Sequence, residues 1–209
     1  MASEAIAPSH AFVRQILGRS DYAIIGAIVQ PNTKVLDLGC GDGELLAWLA
    51  ANKGVDARGV ELNGSRVQQA IARGVSVYQG DIEEALADYP DQTFDYVILS
   101  QTLQETREPL IVLREMLRVG RYVIVAFPNF GHWAVRIAHL LTGRAPQTKL
   151  FPHNWYDSPN IHYLTVQDFE ILARAEGWKV ERGIFLHGAR TVTALPNLTA
   201  EVAVFLIRK

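Results

Sequence analysis

The feature that most constrains this chain is an apolar run that breaks into glycines and then resumes with helical spacing. Lys34 to Leu38 reads as a buried strand, Gly39-Cys40-Gly41-Asp42-Gly43 as a tight turn, and Gly43 to Lys53 as a helix. Glycine is needed there because the backbone must turn sharply and leave room for close approach. The alternation then repeats. Strands are expected over Ala57 to Glu61, Val75 to Gln79, Phe94 to Ser100 and Arg121 to Phe127, with helices over Ser65 to Arg73 and near Glu108 to Arg118. Strands separated by helices imply parallel crossovers with helices on both sheet faces.

Ahead of this alternation, Tyr22 to Val29 reads as a helix, with Ser20 and Asp21 as N-cap types and Pro31-Asn32 as its stop. Residues 1–19 are expected to form an N-terminal arm, and 20–209 the domain. After the fifth strand the rhythm changes. Gly131 to Leu141 reads as an amphipathic helix and Thr142 to His162 as a Pro-, Asn- and aromatic-rich loop, so an insert is expected at about 130–163. Thr165 to Glu176 reads as a helix with Thr165 as cap and Gly177 as stop, and Val180 to Leu186 and Glu201 to Arg208 as strands. Two strands with no helix between them are expected to pair antiparallel. The expected fold is α/β: a doubly wound, Rossmann-like seven-stranded sheet ending in that pair.

Composition narrows the function classes. The chain has 209 residues and a formal net charge of −2, so no general basic field draws it to nucleic acid or an anionic membrane. No apolar run approaches the roughly 20 residues that span a bilayer. The N-terminus lacks a signal-peptide pattern, and the lone Cys40 excludes an intrachain disulfide, so a cytoplasmic setting is expected. No Gly-x-Ser-x-Gly elbow occurs, which argues against a serine acyltransferase on this chain. The histidines are dispersed, without ligand spacing, so no metal is expected.

The acidic residues decide what the glycine turn suits. A dinucleotide-binding turn wants its third glycine at position 44, which is Glu44. A carboxylate at that helix start is a poor neighbour for pyrophosphate. S-adenosylmethionine carries a sulfonium, an ammonium and a carboxylate but no phosphate, so a turn flanked by Asp37 and Asp42 suits it better. Glu61, ending the second strand, is placed for the ribose hydroxyls, and Asp81, after the third, for the adenine amino group with Leu62 and Ile82 beside the ring. Ser100 and Gln101, ending the fourth strand, are expected near the methionine portion. Asp37, Gly39, Cys40, Gly41 and Gly43 complete the expected binding set for S-adenosylmethionine or S-adenosylhomocysteine, with Cys40 as a small buried loop residue. A sheet with this ligand edge and a final antiparallel pair is the methyltransferase variation of the doubly wound fold.

Val35 to Gly43, Glu61, Asp81 and Asp95 to Leu99 resemble class I S-adenosylmethionine-dependent methyltransferases. Phe127-Pro128-Asn129-Phe130-Gly131-His132-Trp133, then Trp155 to His162, then Thr165 to Phe169, resemble the MetW family of methionine biosynthesis proteins. The resemblance covers about residues 20 to 208 and leaves the first 15 or so outside. It implies a role in methionine biosynthesis and partnership with a homoserine O-acyltransferase. It does not establish methyl transfer, since one fold hosts many functions.

Two readings stay open. In one, the chain is an auxiliary protein of the acyltransferase that binds S-adenosylmethionine as an effector. In the other, it is a stand-alone small-molecule methyltransferase, with Gln101, Glu105, His132 and His162 as candidates for a base. The segment after strand five, with His132, Trp133, Trp155, Tyr156 and His162, reads as a substrate lid, a partner surface or core packing. The stripe Trp133, Ile137, Leu140 and Leu141 is expected to pack in the core. A homo-oligomer is compatible with both readings.

Overall fold

The computed structural model describes residues 19–209; the expected arm over residues 1–18 lies outside them. After helix α1 (Ser20–Ile28) the chain alternates through β1 (Lys34–Leu38), α2 (Glu44–Lys53), β2 (Asp56–Glu61), α3 (Gly64–Ala72) and β3 (Ser76–Gln79). It continues with a short α4 (Ile82–Ala85), β4 (Phe94–Ser100), α5 (Pro109–Val119) and β5 (Gly120–Pro128). The last third holds α6 (Trp133–Thr142), α7 (Val166–Ala175), β6 (Lys179–His187), β7 (Arg190–Thr191), α8 (Pro196–Thr199) and β8 (Val202–Arg208). Among the described residues, no helix is long and apolar enough to cross a membrane.

The sheet order is β3-β2-β1-β4-β5-β8-β6-β7. β1 to β5 are parallel, and β8 runs antiparallel to both β5 and β6. The expected final pair therefore forms, Val180 opposite Ile207 through Leu186 opposite Val202. Two details differ from expectation. The sheet has eight strands, because Arg190–Thr191 folds back on the end of β6 through a turn at Gly188. The connection to β8 also contains the one-turn helix α8. Two polar residues and a four-residue turn are too short to carry a periodic signal.

Alternate residues of each central strand enter opposite cores, as the pleat requires. Leu36, Leu38, Val97, Leu99, Val125 and Phe127 pack under α5 and α7. Val35, Tyr96, Ile98, Ile124 and Ala126 pack under α1 and α2. α1 begins earlier than its cap-type residues suggested: Arg19 is the N-cap, and Asp21 is buried inside the first turn. α7 begins where expected, with Thr165 and Asp168 forming a capping box.

α6 departs from expectation. Val135 is its buried residue, while Trp133, Ile137, Leu140 and Leu141 are exposed. The sheet face beside β5 is already covered by α7, whose Phe169 packs at 5.3 Å from Phe127 and 4.6 Å from Phe205. No core surface remains for the α6 stripe.

The segment after β5 is held by one side chain. Asn129 is fully buried. Its Nδ2 donates to Asn197 O (3.1 Å) and Ala200 O (2.8 Å), and its Oδ1 accepts from Gly131 N–H (3.0 Å) and Val166 N–H (3.2 Å). Three chain segments, around positions 129–131, 166 and 197–200, thus share one amide. Replacing it strands buried backbone groups, which is the expensive direction. Asn129→Ala is predicted to lower the unfolding free energy by about 3 kcal/mol. Urea unfolding followed by circular dichroism checks this; an unchanged midpoint contradicts it.

Candidate functional site

β1 and β4 are neighbours, but the chain leaves β1 toward β2 and leaves β4 toward β5. Loops that diverge this way open a crevice at the carboxyl ends of the strands. Here the crevice is a cavity of about 640 Å³ whose wall includes Arg19, Gly39, Gly41, Glu61, Asp81 and Glu105.

The glycine turn forms its floor. Gly39, Gly41 and Gly43 have φ of 72°, 59° and 75°, the left-handed region glycine enters without strain. Gly39 and Cys40 donate backbone hydrogen bonds to Val60 O (2.8 and 3.0 Å), tying the turn to the end of β2. A Cβ on Gly39 would lie 2.8 Å from Thr102 Oγ1, and one on Gly43 2.8 Å from Ala70 Cβ. The first glycine admits the loop after β4, and the third closes α2 against α3.

Glu61 is the best-held carboxylate on the wall. It is buried, its Oε2 accepts from Gly41 N–H (2.9 Å) and its Oε1 from Asn63 N–H (2.8 Å). Each oxygen keeps a further lone pair for a ligand hydroxyl. Asp81 N-caps α4 through Oδ1, which accepts from Glu83 N–H (2.9 Å). Leu62, Ile82 and Gln101 also line the cavity. Ser100 lines it too, but its hydroxyl is engaged: it donates to Asp21 Oδ2 (2.5 Å) and accepts from Arg19 Nη2 (3.0 Å).

The remaining expected binding residues lie behind the wall. Cys40 packs against Gly59, and burial pushes its thiol up, away from thiolate chemistry. Gly43 is the N-cap of α2. Asp37 is buried beneath the floor, where burial raises its carboxyl to about 7; Arg19 opposes the rise, and Asp21 and Glu61 add to it. Of the four candidate bases, Gln101 and Glu105 line the cavity, whereas His132 and His162 do not. Burial raises the Glu105 carboxyl, with Arg66 opposing. His132 is buried at the start of α6, and His162 is half-buried with its Nε2 3.4 Å from Arg107 O.

Several wall residues were not anticipated. Arg19 pairs with Asp21 (2.7 Å) and lies 4.2 Å over the Tyr22 ring, bringing a cation from the start of α1 to the cavity wall beside Ser100. Arg66, Thr102, Arg107 and Ile161 also line the cavity. No local motif marks Arg19, because its place depends on Ser100, far along the chain. Ile161 belongs to the distinctive segment already singled out, and its backbone N–H, like that of His162, donates to Gln104 O (2.8 and 3.0 Å). The insert is therefore tied to the cavity rim.

Elsewhere the insert is open. Trp155 and Tyr156 are 78 % and 70 % exposed, and Trp133 is half-exposed. A second cavity of about 460 Å³ lies among Phe130, Phe151, Trp155 and Tyr163. The expected aromatic anchors are present but stand on the surface rather than over the first cavity.

The raised Asp37 carboxyl has a testable sign. A folded-state value near 7 against an unfolded value near 4 means the folded chain holds this proton more tightly. The contribution is fully present below about pH 4 and is lost as pH rises to about 7. Asp37→Asn is predicted to become more stable relative to the wild type across that window and to stay so above it. Thermal melts at matched pH check this; a stability difference independent of pH contradicts it.

Comparisons with known proteins agree with this geometry. A family model described as methionine biosynthesis protein MetW matches residues 19–207. The bifunctional methionine biosynthesis protein MetXA/MetW of Rhodopirellula baltica is 31 % identical over 87 % of this chain, which spans 31 % of that protein. The chain spans about a third of the length of curated relatives it matches. A SAM-dependent methyltransferase from Archaeoglobus fulgidus shares the fold, with a TM-score of 0.66 at 15 % identity over 95 % of this chain and 98 % of that one. TrmK of M. capricolum, solved with S-adenosyl-homocysteine, superposes with a TM-score of 0.58 at 11 % identity over 90 % of this chain and 67 % of that one. With an α/β methyltransferase-type fold and a family match that spans nearly all the described residues, this chain belongs to the MetW family of methionine biosynthesis proteins.

Proposed function

We propose that the first cavity binds S-adenosylmethionine or S-adenosylhomocysteine, and that the chain supports a homoserine O-acyltransferase. The observation that carries the ligand reading is Glu61, a buried carboxylate fixed by two backbone N–H groups at the edge of the glycine turn. In this reading its free lone pairs accept from the ribose hydroxyls. Asp81 receives the adenine amino group between Leu62 and Ile82. Arg19 takes the amino-acid carboxylate, and the ammonium and sulfonium, by opposing the burial that raises the Asp37 carboxyl to about 7, favour its charged form. The cavity volume lies in the range of ordinary cofactor sites.

The partner reading rests on the family and on the surface. The Rhodopirellula relative carries MetXA and MetW in one polypeptide. Trp133, Ile137, Leu140, Leu141, Trp155 and Tyr156 form exposed apolar area of the residue types that interfaces use as anchors. In an acyl transfer the nucleophile would come from the partner, since this chain has no serine elbow. Ligand occupancy would regulate the partner only if the free and assembled states bind the ligand with different affinity.

A second reading, small-molecule methyl transfer, is favoured by Glu105. Its carboxyl lines the cavity with its affinity for a proton raised by burial, which suits a general base. S-adenosylmethionine, when bound, supplies a methyl group already activated by its cationic sulfur. The protein's part would be to align the acceptor and remove its proton.

Removing the Glu61 charge is predicted to weaken S-adenosylhomocysteine binding by about 10- to 100-fold, the loss of charge-assisted hydrogen bonds. Calorimetry on Glu61→Gln checks this, and equal affinity contradicts it. Mixed with a homoserine O-acyltransferase, the chain is predicted to co-elute in gel filtration, and Leu140→Asp with Trp155→Ala to abolish co-elution. Separate elution of the wild type, with and without ligand, defeats the partner reading.

A further inference from the structure

Away from the first cavity, three residues remote in sequence have the composition of a metal site. His132 is the N-cap of α6, His187 ends β6, and Glu201 precedes β8. β5 and β6 each pair antiparallel with β8, so the end of β5, the end of β6 and the start of β8 meet at one sheet edge. Each residue offers one ligand atom, and the three atoms lie within 4.8 Å of one another. His187 Nδ1 is 3.9 Å from Glu201 Oε1, and the two imidazoles stack with centroids 5.6 Å apart.

A second observation points to an occupant. His132 is 3 % exposed, and its Nε2 is buried with no hydrogen-bond partner among the described residues. Its other nitrogen, Nδ1, accepts from Ala134 N–H at 3.3 Å. A buried ring nitrogen with nothing to bond is rare and calls for an explanation.

The surroundings hold the cluster in place. Glu201 donates from its backbone to Leu186 O (2.7 Å) and accepts from Asn129 N–H (2.8 Å). Its Oε2 accepts from Gly188 N–H (2.7 Å), which leaves Oε1 facing His187.

We propose that His132 Nε2, His187 Nδ1 and a Glu201 carboxylate oxygen bind a divalent transition-metal cation of the Zn²⁺ type. Two imidazoles and one carboxylate form a donor set Zn²⁺ takes readily, with the fourth position left to water. Bonds of about 2.1 Å in a tetrahedron set ligand atoms about 3.4 Å apart, so the histidine–glutamate pair closes by a small side-chain rotation. His187 is half-exposed beside the Gly188 turn, which gives the ion a path in. Binding at Nε2 moves the ring proton to Nδ1, and Ala134 N–H gives up its long hydrogen bond. The ion would join the start of α6 to the β6 hairpin and β8, bracing the helix that carries the exposed apolar stripe.

The test uses the full chain, stripped of metal by chelation and without an affinity tag. ZnCl₂ is titrated by calorimetry, Co²⁺ by visible absorption, and melting temperature is read with and without Zn²⁺. The expected result is one Zn²⁺ per chain at micromolar affinity or tighter, tetrahedral Co²⁺ bands, and a raised melting temperature. His187→Ala and Glu201→Gln should each weaken Zn²⁺ at least about tenfold. Absence of one-to-one binding, or binding that survives either substitution, overturns the proposal.

Discussion

The divergence of the chain at β1 and β4 is the constraint on which the rest depends. Because the chain leaves β1 toward β2 and β4 toward β5, the two loops run in opposite directions, and the crevice between them is filled by neither crossover. Everything functional about the first cavity follows from occupying that edge. The glycine turn lowers the floor, Glu61 reaches up from β2, and Arg19 closes the far end from α1. The charges there oppose one another: burial, with Asp21 and Glu61 adding to it, raises the Asp37 carboxyl to about 7 against the pull of the Arg19 guanidinium. A cationic ligand would add to that pull, which is the electrostatic logic of the proposed site.

A second level of organisation belongs to the family's distinctive segment. The Pro-Asn-Phe-Gly-His run after β5 is mostly structural. Asn129 binds three segments together, Phe130 packs at 4.6 Å from Tyr163, and a Cβ on Gly131 would lie 2.9 Å from Asn197 O. The run builds a rigid base from which α6 and the aromatic loop project. The exposed residues belong to what it supports rather than to the run itself, and these carry the partner reading.

Much of this was legible in the residues because its signals are local. The apolar run at Val35, the turn glycines and the acids at strand ends each announce themselves within one element, and the parallel rule then brings Gly41, Glu61, Asp81 and Gln101 to one edge. Where pairing across the fold decides, the residues were silent. Arg19 reaches the cavity through Ser100 and Asp21, which no spacing reveals. The stripe on α6 was legible as a stripe, but amphipathicity does not say whether α7 has taken the core face first. His132 looked like a cavity base because it follows β5, yet its ring meets His187 and Glu201, which join it only through the antiparallel strands.

The central claim is that the crevice between β1 and β4 is a site for S-adenosylmethionine or its product. A crystal structure of the chain grown with S-adenosylhomocysteine tests it most directly. The account predicts ribose hydroxyls within hydrogen-bond distance of both Glu61 oxygens, the adenine between Leu62 and Ile82, and the amino-acid carboxylate on Arg19. An empty crevice at saturating ligand, or ligand bound elsewhere, would contradict it.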